Sequence, residues 1–329
     1  MKEFNTRESD FSTGYFSVDN LIDNYELSKK LNSVLTSDEL FCHFQRIQKS
    51  ENDLLSNYYL EFFNIVYERM YDTDLFDKGY DLTELARLNT ELHKQKSYLL
   101  QYYLLKLTEE EFIKSNLNIN GFKSLKKVLD SNSGAVLSFY HWGIFQLMIF
   151  ALIVAFEKPV ALFASREATE YQQKVLEIYF PSKKHLFKTL PISFSSIRES
   201  INLIKQGYLV CILPELSGWA DSIPIKNKKN FMGSSVVTPE GAATLSAYGK
   251  VPLFRGYLEI SNEKKILIDL KLISPKVELS KENIRENTLN IWNDLEKLCY
   301  QKPAMWGGWE IFDRIQGKAT EENLSNAYK

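Results

Sequence analysis

The sequence predicts an α/β protein in which a central mixed sheet is flanked by helices and follows an all-α N-terminal region. After Gly134, short apolar runs of strand length alternate with longer segments of helical periodicity, as in folds that pack helices on a sheet. Before Gly134, apolar and aromatic residues recur at helical spacing, and no run reads as a convincing strand. We therefore expect a helical region over residues 1–133, an α/β domain over 134–315 and a polar tail over 316–329.

The N-terminal region contains several helical segments. An acidic first turn at Ser37–Leu40 opens an apolar and aromatic stretch, and Asn52–Met70 repeats apolar residues at helical spacing. Leu82–Lys106 is a further long helix, and Thr108–Glu111 has the residue types of a capping box. A short amphipathic helix then starts at Gly121-Phe122 and ends near Asp130.

The α/β region alternates between the two element types. The strands are expected at residues 135–140, 160–165, 208–213, 251–260 and 264–273. The helices are expected at residues 144–156, 168–180, 195–206, 239–248 and 281–300. Helix 144–156 is almost wholly apolar but too short to cross a bilayer, which takes about 20 residues. A buried core helix is the simpler reading, and a helix that lines an acyl-chain groove or touches a membrane surface is the alternative.

Composition and charge exclude several classes of function. The 329 residues are 44% hydrophobic and 25% charged, which is typical of a folded protein with a large core. Lys and Arg number 40 and Asp and Glu 42, so no overall positive charge attracts nucleic acid. Three cysteines and four histidines are widely scattered, except for the neighbours Cys42 and His43, and no spacing resembles a metal site. So few cysteines also favour a reducing cytoplasm. Neither a signal peptide nor a nucleotide-binding glycine motif is recognisable.

The first candidate site residues follow the strand at 135–140. His141 stands where a strand ends and a glycine-containing turn begins a helix, a position that can both hold and expose an imidazole. Gln146 lies about one helical turn into that helix, within reach of the ring. The alternative for His141 is a hydrogen-bonded core residue.

A second strand end carries an acid and is followed by lysines. Glu215 comes directly after the buried run 208–213, so we expect it at the same edge of the sheet as His141. Lys226, Lys228 and Lys229 then offer charges for phosphate groups or for an acidic partner surface. The alternatives are a solvated acid and a solvated loop.

The order of sequence blocks between residues 134 and 309 resembles one family. The first blocks are a strand followed by His141, four residues and Gln146, then a basic amphipathic helix with Arg198, and then a buried strand with a Pro-acid turn at 214–215. An aromatic and glycine pair ending at Gly233 and a small-residue helix at 241–247 come next. The last blocks are a proline-containing strand at 251–254 and a Pro-x-x-aromatic-x-x-Trp element at 303–309. No block is specific alone, but in order and spacing they resemble the bacterial lipid A acyltransferases of the lysophospholipid acyltransferase superfamily.

The resemblance implies a glycerolipid acyltransferase-like α/β domain that transfers an acyl group from an acyl carrier protein or CoA thioester to a hydroxyl or amine. It implies no cofactor beyond that donor. His141 would be the general base, an acid would orient its ring, and Glu215 would bind the acceptor or complete the site. Arg166 would contact an anion. The other substrate-binding candidates are Arg198, Ser217, Lys226, Lys228, Lys229 and Gly233.

The chain departs from the family pattern in four places. Gln146 stands where the family has an acid, and an amide gives the imidazolium no negative charge. The family's N-terminal membrane-anchoring segment is replaced by a polar helical region, Lys183–Lys188 lacks the expected arginines, and the C-terminal end has mixed charge. Either Glu215 supports His141, or an amine acceptor needs less base strength, or activity is lost.

We expect a cytoplasmic protein, or one that is in peripheral contact with the inner face of the membrane. The alternative function is a weak or inactive homologue that binds acyl groups or the carrier protein.

Overall fold

The computed structural model describes residues 29–30, 32, 36, 38–42, 45–46, 56–191, 193–215 and 227–318. The helices are α1 Ser56–Tyr71, α2 Leu82–Lys106, α3 Glu110–Asn116, α4 Phe122–Asp130, α5 Gln146–Phe156, α6 Arg166–Tyr179, α7 Phe194–Lys205, α8 Gly241–Gly249, α9 Lys281–Gln301 and α10 Phe312–Gln316. Short 3-10 helices lie at Pro181–Leu186, Pro303–Met305 and Gly307–Ile311. The strands are β1 Leu117–Asn120, β2 Ala135–Phe139, β3 Val160–Phe163, β4 Phe187–Leu190, β5 Leu209–Ile212, β6 Lys228–Phe231, β7 Ser234–Val237, β8 Leu253–Ile260 and β9 Ile266–Ser274.

Seven strands form one sheet in the order β1-β9-β8-β2-β5-β3-β4. Strands β8 and β9 pair antiparallel, and the other neighbours pair parallel. The predicted α/β class with a mixed central sheet and a helical N-terminal region is therefore confirmed. Strands β2 and β5, which carry the candidate site, are adjacent in the middle of the sheet.

The expectation of no strand before Gly134 is wrong, because β1 pairs with β9 at one edge of the sheet. Strand β4 at the opposite edge was also unexpected. Both are four residues long and only partly buried, whereas all five residues of β2 are buried. A short strand with one solvated face has no continuous apolar run, so its sequence resembles a loop. The region before residue 134 thus contributes a strand to the sheet.

Two apolar layers cover the two faces of the sheet, because successive strand residues point to opposite faces. Leu137 and Cys211 face the layer formed with α5 and the C-terminal half of α2. Val136 and Val210 face the layer formed with α1, α8 and α9. Helix α5 is buried over most of its length, as a core helix should be. Within the ranges described, none of the helices is both long and apolar enough to cross a membrane.

One local expectation fails at the start of α3. The helix begins at Glu110 with Glu109 as its N-cap, and no side chain caps it. The Thr108 hydroxyl instead donates to the carbonyl of Leu105, at the end of α2. Thr108 therefore contacts the end of the preceding helix and does not cap the next one, whereas Glu110 and Glu111 lie in the first turn of α3.

Candidate active site

His141 and Glu215 meet at one edge of the sheet. Strands β2 and β5 run parallel in register, with Ser138 opposite Ile212. His141 lies two residues beyond the end of β2, and Glu215 lies three residues beyond the end of β5. The carboxyl ends of parallel strands are where α/β proteins usually place their sites.

The two side chains are in ion-pair range. Oε1 of Glu215 accepts a hydrogen bond from the backbone N–H of His141 at 2.9 Å and one from the indole N–H of Trp306 at 3.2 Å. Oε2 lies 3.5 Å from Nδ1 of His141, and neither of these two buried atoms has a hydrogen-bond partner. The Glu215 side chain is inaccessible to solvent, whereas that of His141 is 14% exposed. Since Nδ1 is buried, the exposed part of His141 consists of its other side-chain atoms.

The loop that carries His141 is fixed from both sides. The N–H of Gly307 donates to the carbonyl of His141 at 2.6 Å, and that of Gly143 donates to the carbonyl of Met305 at 2.9 Å. Trp142 forms an isolated antiparallel bridge with Trp306. These contacts hold the imidazole beside the carboxylate without help from the ring nitrogens.

Gln146 does not support the imidazole. It is the first residue of α5, and its amide oxygen is buried without a hydrogen-bond partner. It therefore accepts no hydrogen bond from the His141 ring, contrary to the interaction that the sequence spacing suggested. Of the two candidate partners, Glu215 is the one whose side chain faces the ring.

The substitution Gln146→Glu tests this assignment. It introduces the acid that stands at this position in the acyltransferases that the sequence resembles. If the chain has the acyl-transfer activity that the resemblance implies, we expect no gain in rate, because Glu215 already occupies the Nδ1 side of the ring. The substitution would place a negative charge on a buried oxygen that already lacks a hydrogen-bond partner. We therefore expect a loss of about 1–3 kcal/mol in the free energy of unfolding. Urea denaturation and transfer rates measure both effects. A rise in rate above wild type would show that Gln146, not Glu215, limits the base.

The predicted lysine loop is a β-hairpin over the part that the structure describes. Strands β6 and β7 pair antiparallel, and Gly233 lies in their turn with a φ of +82°. Lys229 is 9% exposed and pairs with Glu296, which also accepts a hydrogen bond from the N–H of Met232. Lys229 therefore anchors the hairpin to α9 and is not a free cation for substrate, while Lys228 is exposed.

The remaining predicted contacts are scattered or not described. Arg198 is exposed on α7, and no contact joins it to His141. The side chain of Arg166 and all of Ser217 and Lys226 lie outside the described residues. Their predicted roles in substrate binding stay predictions.

A second polar cluster, which the sequence did not reveal, lies next to the site. Oε1 of Glu310 accepts hydrogen bonds from Nζ of Lys96 at 2.8 Å and lies 3.0 Å from Nδ1 of His93, whose Nε2 lies 3.2 Å from the Tyr58 hydroxyl. A methyl group at Gly307 would lie 3.5 Å from Lys96 Nζ and 3.2 Å from the His141 carbonyl oxygen, so the backbone of Gly307 lies between the cluster and the site. Both ring nitrogens of this histidine are engaged, which makes it a structural tie between α1, α2 and the C-terminal turn.

The charge of Glu310 makes the cluster sensitive to acid. Burial alone would raise its carboxyl pKa, but attraction to Lys96 and His93 and their hydrogen bonds outweigh burial and lower the pKa below its ordinary value of 4.5. A carboxyl whose pKa is depressed by folding stabilises the protein above its unfolded pKa. That contribution is lost as the pH falls below 4.5 toward the folded pKa.

We expect Glu310→Gln to lower the free energy of unfolding at neutral pH by about 3 kcal/mol, because it leaves the ammonium of Lys96 without its anion. The deficit should shrink as the pH drops below 4.5. Urea unfolding over a pH series measures it, with Glu91→Gln as the control, because Glu91 is a half-exposed residue of α2 that pairs only weakly with Lys94 at 3.9 Å. A deficit that is the same at every pH would contradict the assignment.

Comparisons with known proteins assign no role to the residues of this site. No protein-family model matches the chain, and no curated protein matches it. Among the residues with described positions, no group of three or more His, Cys, Asp or Glu side chains is placed to hold a metal ion.

Proposed function

We propose that this chain is an acyltransferase that moves an acyl group from an acyl carrier protein or CoA thioester to a hydroxyl or amine. The observation that carries the proposal is the buried carboxylate of Glu215, 3.5 Å from Nδ1 of a partly exposed histidine at the carboxyl ends of two parallel strands. The resemblance in block order between residues 134 and 309 supplies the reaction class.

The contacts give each group a role. Glu215 faces Nδ1 of His141, so it favours the tautomer with the proton on that nitrogen and leaves Nε2 unprotonated. Nε2 takes the proton of the acceptor hydroxyl or amine while the acceptor atom attacks the thioester carbonyl carbon. The C–S bond then breaks, and the imidazolium returns the proton to the leaving thiolate. The products are the ester or amide and a free thiol.

The buried carboxylate of Glu215 supplies the acid that is missing at position 146, where the chain has Gln146. A carboxylate close to the ring stabilises the imidazolium that forms during attack, which an amide cannot do. The 3.5 Å separation is longer than a hydrogen bond, and catalytic contacts of this kind often tighten only when substrate is bound.

Neither of the two cysteines after residue 134 can carry an acyl-enzyme on sulfur, which favours direct transfer; the third, Cys42, is exposed in the N-terminal region. Cys211 on β5 and Cys299 on α9 are both fully buried. Burial raises the pKa of both thiols well above the ordinary value, so they stay protonated and unreactive.

One observation favours a second candidate function. In the structure the Nδ1–Oε2 contact is not a hydrogen bond, and the amide oxygen of Gln146 has no partner. A homologue that binds acyl groups or the carrier protein without turnover would tolerate such a site. The proposed setting for either function is the cytoplasm, with the thioester carrier as partner.

Thioester turnover separates these functions. The protein is incubated with palmitoyl-CoA, or with a palmitoylated acyl carrier protein, and with an amino sugar, a lysophospholipid or an aliphatic diamine as acceptor. Thiol release and product mass are measured. We expect release of many equivalents of thiol that depends on the acceptor. A one-to-one complex without thiol release would favour the binding function, and release without any acceptor would identify a hydrolase.

A further inference from the structure

The carboxylate of Glu215 is held by one oxygen only. Oε1 accepts both hydrogen bonds, from the His141 backbone and from the Trp306 indole, while Oε2 accepts none. The two hydrogen bonds hold Oε1 in place, and Oε2 lies 3.5 Å from Nδ1 of the His141 ring. The indole is the only side chain that hydrogen-bonds this carboxylate among the residues described.

Rigid aromatic packing fixes the indole itself. Trp306 is fully buried, with ring centroids 4.8 Å from Trp309, 5.3 Å from Phe231 and 5.9 Å from Phe312. Edge-on and tilted aromatic contacts of this kind limit ring rotation in a close-packed core. The N–H therefore has one direction, which is toward Glu215.

The two glycines that follow make this arrangement possible. The indole folds back over Gly308, where an added methyl group would overlap the ring and lie 2.6 Å from Nε1. Gly307 donates its N–H to the carbonyl of His141, and a methyl group at this position would lie 3.2 Å from that carbonyl oxygen, which is a tight contact. One segment, Trp306–Gly308, thus contacts both the histidine loop and the acid.

We propose that Trp306 is a positioning residue of the acyltransferase site, which anchors Oε1 of Glu215 so that Oε2 fixes the tautomer of His141. This rests on the proposed function for its catalytic consequence, but its effect on the imidazole does not. Gly308 leaves the space that the indole ring occupies, and the N–H of Gly307 bonds the same segment to the carbonyl of His141. The residue touches neither the substrate nor the reacting atoms.

The test removes the N–H donor without emptying the core. Trp306→Phe is compared with Trp309→Phe, a matched control in the same aromatic cluster whose indole donates to the Pro303 carbonyl instead. A second variant replaces Trp306 with benzothienylalanine, which keeps the shape of the indole and lacks the N–H. Gly308→Ala displaces the ring while keeping its donor.

Two readouts are measured on the full chain. Ring ¹⁵N shifts of His141, assigned by comparison with His141→Ala, report the tautomer, and kcat and KM for palmitoyl-CoA report transfer. We expect the Nδ1–H tautomer in the wild type and in Trp309→Phe. In the other three variants we expect a shift toward the Nε2–H form, with kcat lower by about 10- to 100-fold and KM unchanged.

The outcomes are distinguishable. A folded benzothienylalanine variant with the wild-type tautomer and wild-type kcat would overturn the role of Trp306. A tautomer shift in a protein that turns over no thioester would uphold the positioning role and refute the proposed function. A fall in kcat of equal size in Trp309→Phe would mean that the cluster acts only through packing, and would also overturn the inference.

Discussion

His141→Ala should lower kcat/KM for acyl transfer by about 10⁴-fold, the upper range for loss of a general acid-base. The imidazole is the partly exposed group beside the buried carboxylate at the strand ends. Without it, the proposed mechanism lacks its base for the acceptor proton, although thioester binding should persist. Initial rates of thiol release with saturating acceptor measure the effect.

His185→Ala is the matched control for this change. His185 is exposed on the 3-10 helix Pro181–Leu186 and forms no contact with Glu215. The control should keep the wild-type rate and stability. Undiminished transfer by the folded His141→Ala variant would remove this histidine from the mechanism.

Glu215→Gln should lower kcat by about 10³- to 10⁴-fold, as the equivalent amide change does in Ser-His-Asp triads. If the amide oxygen keeps the two hydrogen bonds at the Oε1 position, the amide N–H₂ faces Nδ1 of His141. Two donors cannot face each other, so the ring must carry its proton on Nε2 and is then unable to act as a base. The fold should persist, because shape and both accepted hydrogen bonds are retained.

Glu259→Gln provides the comparison for Glu215→Gln. Glu259 also accepts a hydrogen bond from an indole N–H, that of Trp142, at 3.0 Å, but it does not face the imidazole ring. Its replacement should leave kcat near the wild-type value. Equal losses in the two variants would mean that the general electrostatics of this edge, rather than contact with His141, sets the rate.

The central strands could be predicted because burial on both faces leaves a continuous apolar signal. Strand β2 is buried at all five positions, and the observed range differs from the predicted one by a single residue. The edge strands β1 and β4 escape that signal, since half of each faces outward. The hairpin β6–β7 escapes it as well, because its lysines resemble a solvated loop until Glu296 is brought against Lys229 by the fold.

The candidate site divides in the same way. His141 and Glu215 could be predicted as site residues from the sequence, because each follows a recognisable strand. Sequence spacing suggested Gln146 as the partner of the ring and left Glu215 as the alternative, because both strands were expected to end at the same edge of the sheet. The structure places the carboxylate of Glu215, and not the amide oxygen of Gln146, beside the ring. The indole of Trp306 lies 91 positions from Glu215, and only tertiary packing brings the two together.

The most direct test of the His141–Glu215 pair is a double-mutant cycle on kcat with His141→Ala, Glu215→Gln and both together. Residues that act as one catalytic unit are strongly non-additive. We predict that the double variant transfers acyl groups at the rate of His141→Ala alone, because the carboxylate acts only through the ring. A further loss equal to that of Glu215→Gln by itself would show that the two groups act independently, and would contradict the mechanism.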